Sequence, residues 1–221
     1  MVVAIVRLLL ISLISLPLWA ADNTVEVRTK GSGTEILVDQ IGAGNTARVW
    51  CGLSDGTFDT HLCTNADIDI DQTGDGNLAK AYSQFTNHSN NEYTIQQEGD
   101  NNTAYLDLDY SNNVTTITQI GNDDYAEIYM GGDNNNYIIS QTGDDFYAKM
   151  YAFGDYSDWT ITQSGTGNHN AYIKSCGNCN NNDATITQSG SGAKDGDIEF
   201  RNNPSDNNTV NLTQSGNGAH V

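Results

Sequence analysis

The sequence predicts an all-β protein: a β-solenoid of about eight stacked strand-turn-strand rungs, with the amyloid-like stacking of a cross-β structure. The motif Gln-x-Gly occurs eight times, at Gln-to-Gln intervals of 32, 25, 22, 22, 22, 25 and 26 residues. Repetition at such a period is typical of solenoids and arrays. Proline, which interrupts sheet ladders, occurs only twice in 221 residues. Both observations favour a long and regular sheet.

Each copy of the repeat predicts two short strands joined by a turn. Mostly apolar residues stand two and four positions before each glutamine, and this alternation is typical of a strand. After Gln-x-Gly, a turn rich in Gly, Asn and Asp leads to a second strand that begins with an alanine in the first five copies. In the sixth and seventh copies this strand is displaced by one residue, to Ala171 and Gly196, which predicts a bulge or a longer turn.

A lone hairpin is not stable in water, so the copies are expected to stack and bury their inward residues. A buried glutamine amide would be costly in one hairpin, whereas stacked amides can hydrogen-bond up a column. The predicted amide ladder comprises Gln40, Gln72, Gln97, Gln119, Gln141, Gln163, Gln188 and Gln214. The predicted turn glycines are Gly42, Gly74, Gly99, Gly121, Gly143, Gly165, Gly190 and Gly216. The rungs are expected to start near residues 34, 66, 91, 113, 135, 157, 182 and 208, with the eighth lacking its second strand.

The chain divides into three predicted parts: a secretory signal peptide at 1–20, a short leader at 21–33 and the repeat domain at 34–221. The first part carries Arg7, an apolar run and a small-residue exit, which is the pattern of a signal peptide. The formal net charge is -19, and such an acidic surface repels nucleic acid phosphates and anionic lipid headgroups. An extracellular protein with no nucleic acid partner is therefore expected.

The four cysteines coincide with the longer repeats. Cys51 and Cys63 flank the ten extra residues of the first interval, and Cys176 and Cys179 lie in the sixth. In an oxidising compartment, local disulfides Cys51–Cys63 and Cys176–Cys179 are the simplest interpretation. A Cys-x-x-Cys redox motif is a weaker alternative because no βαβ pattern surrounds it. A four-cysteine metal site is disfavoured because it would require the first and sixth rungs to meet.

Chemistry-bearing motifs are otherwise missing from the sequence. It contains no Gly-x-Ser-x-Gly, His-Glu-x-x-His or phosphate-binding loop, and its four histidines lack metal-ligand spacing. We therefore expect no catalytic residues, no cofactor, no metal and no enzymatic activity.

The repeats resemble those of the curlin family, the subunits of bacterial curli fibres. The family pattern runs Gln-x-Gly-x-x-Asn-x-Ala, and the segments 40–47, 72–79 and 97–104 match it fully. The turn asparagine is replaced by Asp124, Phe146, Ala193 and Ala219 in other copies, and the family's closing glutamine is absent. The resemblance implies a secreted amyloid of β-solenoid subunits, exported through an outer-membrane pore and started by a nucleator subunit.

The expected function is that of a structural subunit of an extracellular curli-like fibre, or fimbrium, serving cell adhesion and the biofilm matrix. Growth is expected by stacking of the end rungs, so the main partner is another copy of the chain. One alternative is the fibre nucleator of the same family. The other is a monomeric β-solenoid adhesin or ice-binding module, favoured by Thr-x-Thr pairs such as Thr160/Thr162 but interrupted by Asp69/Asp71.

Overall fold

The computed structural model describes residues 22–29, 34–51, 63–83, 88–107, 111–151, 158–174, 183–199 and 209–219. Over these ranges the chain forms strands, turns and extended segments, with no helix among them. The two main sheets are parallel throughout and run face to face along one solenoid axis. The predicted all-β solenoid is confirmed. Within the described ranges, no helix is long and apolar enough to cross a membrane.

The first sheet contains one strand from each of the eight copies, in chain order. Its strands are β2 (Glu35–Ile41), β5 (Asp67–Thr73), β8 (Glu92–Glu98), β10 (Val114–Ile120), β12 (Asn136–Thr142), β13 (Asp158–Thr166), β16 (Asp183–Ser191) and β19 (Thr209–Gln214). The register pairs each repeat glutamine with the glutamine of the next copy, as Gln119 pairs with Gln141. At about 4.8 Å between strands, this stack is roughly 34 Å tall.

The second sheet is formed by the strands that follow the Gln-x-Gly turns. Its strands are β1 (Thr24–Thr29), β3 (Thr46–Cys51), β6 (Leu78–Ser83), β9 (Thr103–Asp107) and β11 (Tyr125–Tyr129). Isolated bridges through Tyr147 and Asn170 continue it into the later copies. There it consists of the short pairs β14 (His169–Asn170) with β17 (Lys194–Asp195), and β15 (Ile173–Lys174) with β18 (Ile198–Glu199). A separate pair, β4 (Cys63–Thr64) with β7 (His88–Ser89), precedes the second and third rungs.

The core lies between the two sheets and is filled by alternate residues of each strand. In β10, for example, Ile117 is fully buried while its neighbours Thr116 and Thr118 are only partly covered. The largest apolar side chains in the core, Trp159 and Tyr137, come from the first sheet. At roughly 25 cal/mol per Å² of apolar surface, this continuous column is the main stabilising term. No single rung could supply it alone.

The displaced second strands of the sixth and seventh copies are accommodated by longer turns. Tyr147 bridges Asn170, so Ala171 follows in line with Ala148, and Ile173 pairs with Ile198. The inward face is kept because the turn, not the strand register, absorbs the extra residue. The predicted bulge or longer turn is confirmed.

The predicted leader at 21–33 is not wholly outside the solenoid, and its boundary needs correction. Residues Thr24–Thr29 form β1, which pairs in parallel with β3 from Thr24↔Thr46 to Thr29↔Cys51. The segment carries no Gln-x-Gly, so the repeat motif did not reveal it. It has the position of a second strand, and no described strand of the first sheet lies opposite it.

Two sequence predictions fall outside what the structure describes. The signal peptide at 1–20 lies in a range without description, as do Cys176 and Cys179. Cys51 and Cys63 are placed as strand residues, but their side chains are not described. Both disulfides therefore stay predictions.

Candidate functional site

All eight repeat glutamines stand in one hydrogen-bonded column. Each glutamine from the first to the seventh donates its Nε2 to the Oε1 of the glutamine one rung on, with N···O distances of 2.6–2.9 Å. The same Nε2 groups also donate to backbone carbonyls of the second sheet, as Gln119 does to Thr103 at 3.1 Å. The ladder therefore stacks the rungs and ties the two sheets together, which satisfies amides that would be costly to bury unpaired.

We call the turn between the first and second strands of a rung the Gln-x-Gly corner. Its glycines have positive φ, and a Cβ placed on any of the first seven would lie 1.6–2.4 Å from the carbonyl oxygen of the next corner glycine. Real Cβ atoms do not approach an oxygen so closely. Glycine is thus required here twice, by backbone conformation and by close stacking.

A second polar column lines the Gln-x-Gly corner. In the first three rungs this column consists of asparagines. The Oδ1 of each accepts a hydrogen bond from the backbone N–H of the column residue in the following rung, and its Nδ2 donates to the carbonyl of the following corner glycine. Asn45 accepts from Asn77 at 2.9 Å and donates to the Gly74 carbonyl at 2.7 Å. Asn77 and Asn102 repeat these contacts. The corner therefore leaves few polar backbone groups unpaired.

This column changes chemistry towards the later rungs, where Asp124, Phe146, His169 and Lys194 follow the asparagines. Phe146 stacks on His169 with 4.8 Å between ring centroids and 6° between planes. The Lys194 amine is buried and donates to the carbonyls of Ser191, Gly192 and Gly218 at 2.9–3.2 Å. Sequence alignment on the glutamine placed Ala193 in this column, and the longer corner instead puts Lys194 there.

Asp124, like His169 at its Nδ1, has a buried polar atom without a hydrogen-bond partner. Its Oδ1 accepts from the Phe146 N–H at 2.9 Å, but its buried Oδ2 has no hydrogen-bond partner. An asparagine in this place would donate to the next corner glycine. Burial, followed by repulsion from the nearby Asp144, Asp145 and Asp123, raises the pKa of Asp124 to about 7.

We call the turn from a second strand to the next first strand the return corner. It has an asparagine ladder of its own in the middle of the stack, where Asn113 and Asn135 donate their backbone N–H groups to Asn91 and Asn113 at 2.9 Å. In the second rung Ala66 holds the same position. All the extra residues of the first two intervals enter at this corner, and so do all but one of the extra residues in each of the last two intervals. Cys63, Cys176 and Cys179 lie in these longer stretches of the sequence.

The outer faces of the two sheets differ in charge. The first sheet presents acidic residues in its early rungs. Burial, and then charge repulsion from Asp71 and Asp67, raises the pKa of Asp69. The second sheet presents the cations Arg28, Arg48, Lys80, Lys149 and Lys174. Several of these stack on aromatic rings, as Lys80 does on Tyr105 at 4.4 Å. Tyrosines also stack along this face, with 5.0 Å between Tyr125 and Tyr147.

The two ends of the stack are the remaining candidate sites. At the first end, the described strands β1 and β2 have no partner on their outer edges, and at the far end β19 has none. Unpaired strand edges are ready to pair with another chain. Among the described residues, no group of three or more His, Cys, Asp or Glu is arranged to hold a metal ion.

Comparison with protein-family models, with curated proteins and with solved structures finds no match. The fold and the ends of the stack are therefore the basis for any functional conclusion. Sequence reasoning identified the glutamines and glycines but missed β1 and the buried Lys194. The sequence did contain one signal for β1. The triplet Asn23-Thr24-Val25 matches the Asn-x-Ala part of the repeat, with valine in place of alanine.

Proposed function

We propose that this protein is a non-enzymatic structural subunit of an extracellular, curli-like functional amyloid fibre. The observation that supports this most strongly is that the outermost described strands at both ends of a parallel, in-register stack have no partner on their outer edges. The same ladders that join rung to rung within one chain can continue from one chain to the next. Because the two ends differ, their contact does not close on itself and gives an open filament.

The resemblance to curlin repeats supports the same proposal and extends it. It adds roles in adhesion and the biofilm matrix, export through an outer-membrane pore, and a nucleator subunit as a second partner. The acidic net charge of -19 disfavours a tether on an anionic membrane, which favours the fibre subunit over the nucleator.

The proposal is tested by purifying residues 21–221 and following assembly with Thioflavin T, electron microscopy and fibre diffraction. We expect fibres with a meridional spacing of about 4.8 Å. Deleting 205–221, which removes β19, should slow or abolish growth. As a matched control, deleting 113–134 removes one whole rung and leaves both ends intact, so fibres should still form. Unchanged growth after loss of 205–221 would contradict growth through this end.

A monomeric adhesin or ice-binding module is the competing function. The structure pairs Thr160 with Thr185 and Thr162 with Thr187 on the outer face of the first sheet. The row of Thr160 changes to Ile138 in one direction and to Asn211 in the other, and the row of Thr162 changes to Ser140 in one direction. A flat threonine array would need more rungs, so we favour the fibre. A stable monomer in size-exclusion chromatography that never forms fibres would favour the alternative.

A further inference from the structure

Over the residues that the structure describes, each end of the solenoid is half a rung, and the two halves are complementary. At the first end the second sheet extends one strand further than the first, because β1 lies beyond β3 while β2 is the outermost strand of the first sheet. At the far end the first sheet extends further, because β19 lies beyond β16 while the described part of the second sheet stops at β17 and β18.

β1 makes the contacts of a second strand although no described strand of the first sheet lies opposite it. The Asn23 side chain accepts from the Asn45 backbone N–H at 2.9 Å and donates to the Gly42 carbonyl at 3.2 Å. These are the contacts that Asn45 makes to Asn77 and Gly74 one rung on. β1 is therefore already held in the position of a second strand.

The inward side chains of β1 are left in solvent. Val25 and Val27 are 43% and 41% exposed, whereas Ala47 and Val49, their register partners on β3, are fully buried. The difference arises because no described first-sheet strand faces β1. Leaving such apolar surface in water is unfavourable, and covering it is a driving force for association.

β19 has the opposite deficiency. Its inward residues Val210 and Leu212 pack against the core but stay partly exposed, because no described second-sheet strand faces them. Across the core, Thr115, four positions before its glutamine, contacts Met130, four positions after Ala126. By the same alternation, the residue two positions before a glutamine lies opposite the residue two positions after that alanine, which is the position of Val27. Leu212 and Val27 are therefore complementary halves of one apolar layer.

We propose that copies of this chain join through a composite rung, in which β19 of one copy supplies the first strand and β1 of the next copy supplies the second. This inference rests on the proposed fibre function and specifies the partner surface within it. In the composite rung, β19 also pairs with β2 of the next copy, and β1 pairs with β18 of the first. Both sheets then continue without a gap.

The amide ladder has the polarity that this joint needs. Each glutamine from the first to the seventh donates to the glutamine of the following rung, so Gln214 accepts from Gln188, and its own Nε2 donates to the Asp195 carbonyl of the preceding rung and has no described glutamine beyond it. At the other end Gln40 donates to Gln72 and Thr24, and no described donor reaches its Oε1. Gln214 of one copy and Gln40 of the next thus continue the column in the same direction.

The corner glycines also indicate that the far end is completed by a neighbouring copy. A Cβ on each of the first seven would collide with the next corner glycine, but a Cβ on Gly216 meets nothing within 4 Å. In the composite joint Gly216 would stack under Gly42 of the next copy and acquire the same restriction. The last corner is therefore built for a neighbour that one chain does not provide.

The test uses two single substitutions that each spoil one end. Val27→Asp places a charge on the inward face of β1, and Leu212→Asp does so on β19. Asn211→Asp is the matched control, because it adds the same charge to the outward face of β19, where its register partner is Thr185. We expect seeded elongation to fall at least tenfold for each inward variant and to change less than twofold for Asn211→Asp, with circular dichroism showing a folded solenoid in all three.

Mixing the two inward variants gives a second readout that does not depend on fibres. Val27→Asp keeps an intact β19 and Leu212→Asp keeps an intact β1, so an equimolar mixture should form dimers that cannot extend. Light scattering after size-exclusion chromatography should show dimers in the mixture and monomers of each variant alone. Fibres from Val27→Asp at the wild-type rate, or no dimers in the mixture, would overturn the composite rung while leaving fibre formation itself in place. A wild-type chain that never forms fibres would overturn both.

Discussion

The Gln-x-Gly corner and the return corner join the same two sheets, yet they follow opposite rules. The Gln-x-Gly corner varies in length by only one residue over the described rungs and stacks glycine on glycine. The return corner absorbs up to ten extra residues, and three of the four cysteines lie in its longer copies. The difference shows that the length of a corner is restricted where stacked glycines and side-chain ladders line it, and that pairing of the strands alone does not impose this restriction. Four changes to the chain test this difference.

The largest effect is expected from Gly121→Ala. Its Cβ would lie 1.6 Å from the Gly143 carbonyl oxygen, on a backbone with φ of +146°. We expect a loss of roughly 3–5 kcal/mol in the free energy of unfolding, measured by urea denaturation. Gly216→Ala is the first control, since it keeps the φ strain without the clash and should cost about 1–3 kcal/mol. Gly218→Ala, which has neither, should stay within about 0.5 kcal/mol; equal losses in all three would contradict stacking as the cause.

The amide ladder is tested by comparing two neighbouring glutamines. Gln97 is buried and donates to Gln119 and to the Leu78 carbonyl, whereas Gln96 is exposed on the opposite face of the strand. Gln97→Glu removes both donors and buries a carboxylate against two acceptors, so we expect a loss of about 2–4 kcal/mol at pH 7. Gln96→Glu makes the same chemical change in solvent and should be nearly neutral. Similar melting temperatures for the two variants would show that the ladder contributes little.

Asp124→Asn should stabilise the protein. The pKa of the Asp124 carboxyl is raised to about 7 in the folded state from an ordinary 3.8. The folded state therefore favours the protonated form, whose contribution to stability is full below about pH 4 and is lost as the pH rises through about 7. The asparagine variant does not titrate, so its advantage should grow over this range, by at most about 1.4 kcal/mol per pH unit.

The matched control for Asp124→Asn is the exposed neighbour Asp123, changed to asparagine. This change removes a similar charge but adds no hydrogen bond to the buried column, so its effect should be smaller and less dependent on pH. Chemical denaturation of both variants and the wild type at pH 4, 5.5 and 7 gives the comparison. An Asp124→Asn advantage that does not change with pH would contradict the raised pKa.

The smallest effect is expected from lengthening the return corner. Inserting three Gly or Ser residues between 109 and 110 should cost less than about 1 kcal/mol, because closing a longer flexible loop adds little entropy. The same insertion directly after Gly121 would separate the stacked glycines from the asparagine column. We expect that variant to lose several degrees in melting temperature or to fail to fold. If both insertions were equally tolerated, the two corners would not differ as described.

The sequence was sufficient to predict the rungs because in-register stacking repeats each requirement at every level. One glutamine in an apolar strand does not predict a fold. Eight glutamines at matching positions, such as Gln119 and Gln141, are compatible with few arrangements other than an in-register stack. The same reasoning fails where a rung departs from the repeat. β1 has no glutamine of its own, so its membership depends on pairing with β3. Lys194 satisfies its buried amine with three carbonyl groups that converge only after folding.

The amide ladder also gives the molecule an electrical direction. Backbone dipoles within a sheet alternate and largely cancel, whereas the side-chain amides from Gln40 to Gln214 all point the same way. Each carries a dipole comparable to that of a peptide unit, about 3.5 D. The column is thus negative at its Gln40 end and positive at its Gln214 end. Two such columns lying side by side repel when they run in the same direction and attract when they run in opposite directions, so bundles of these solenoids should favour antiparallel neighbours.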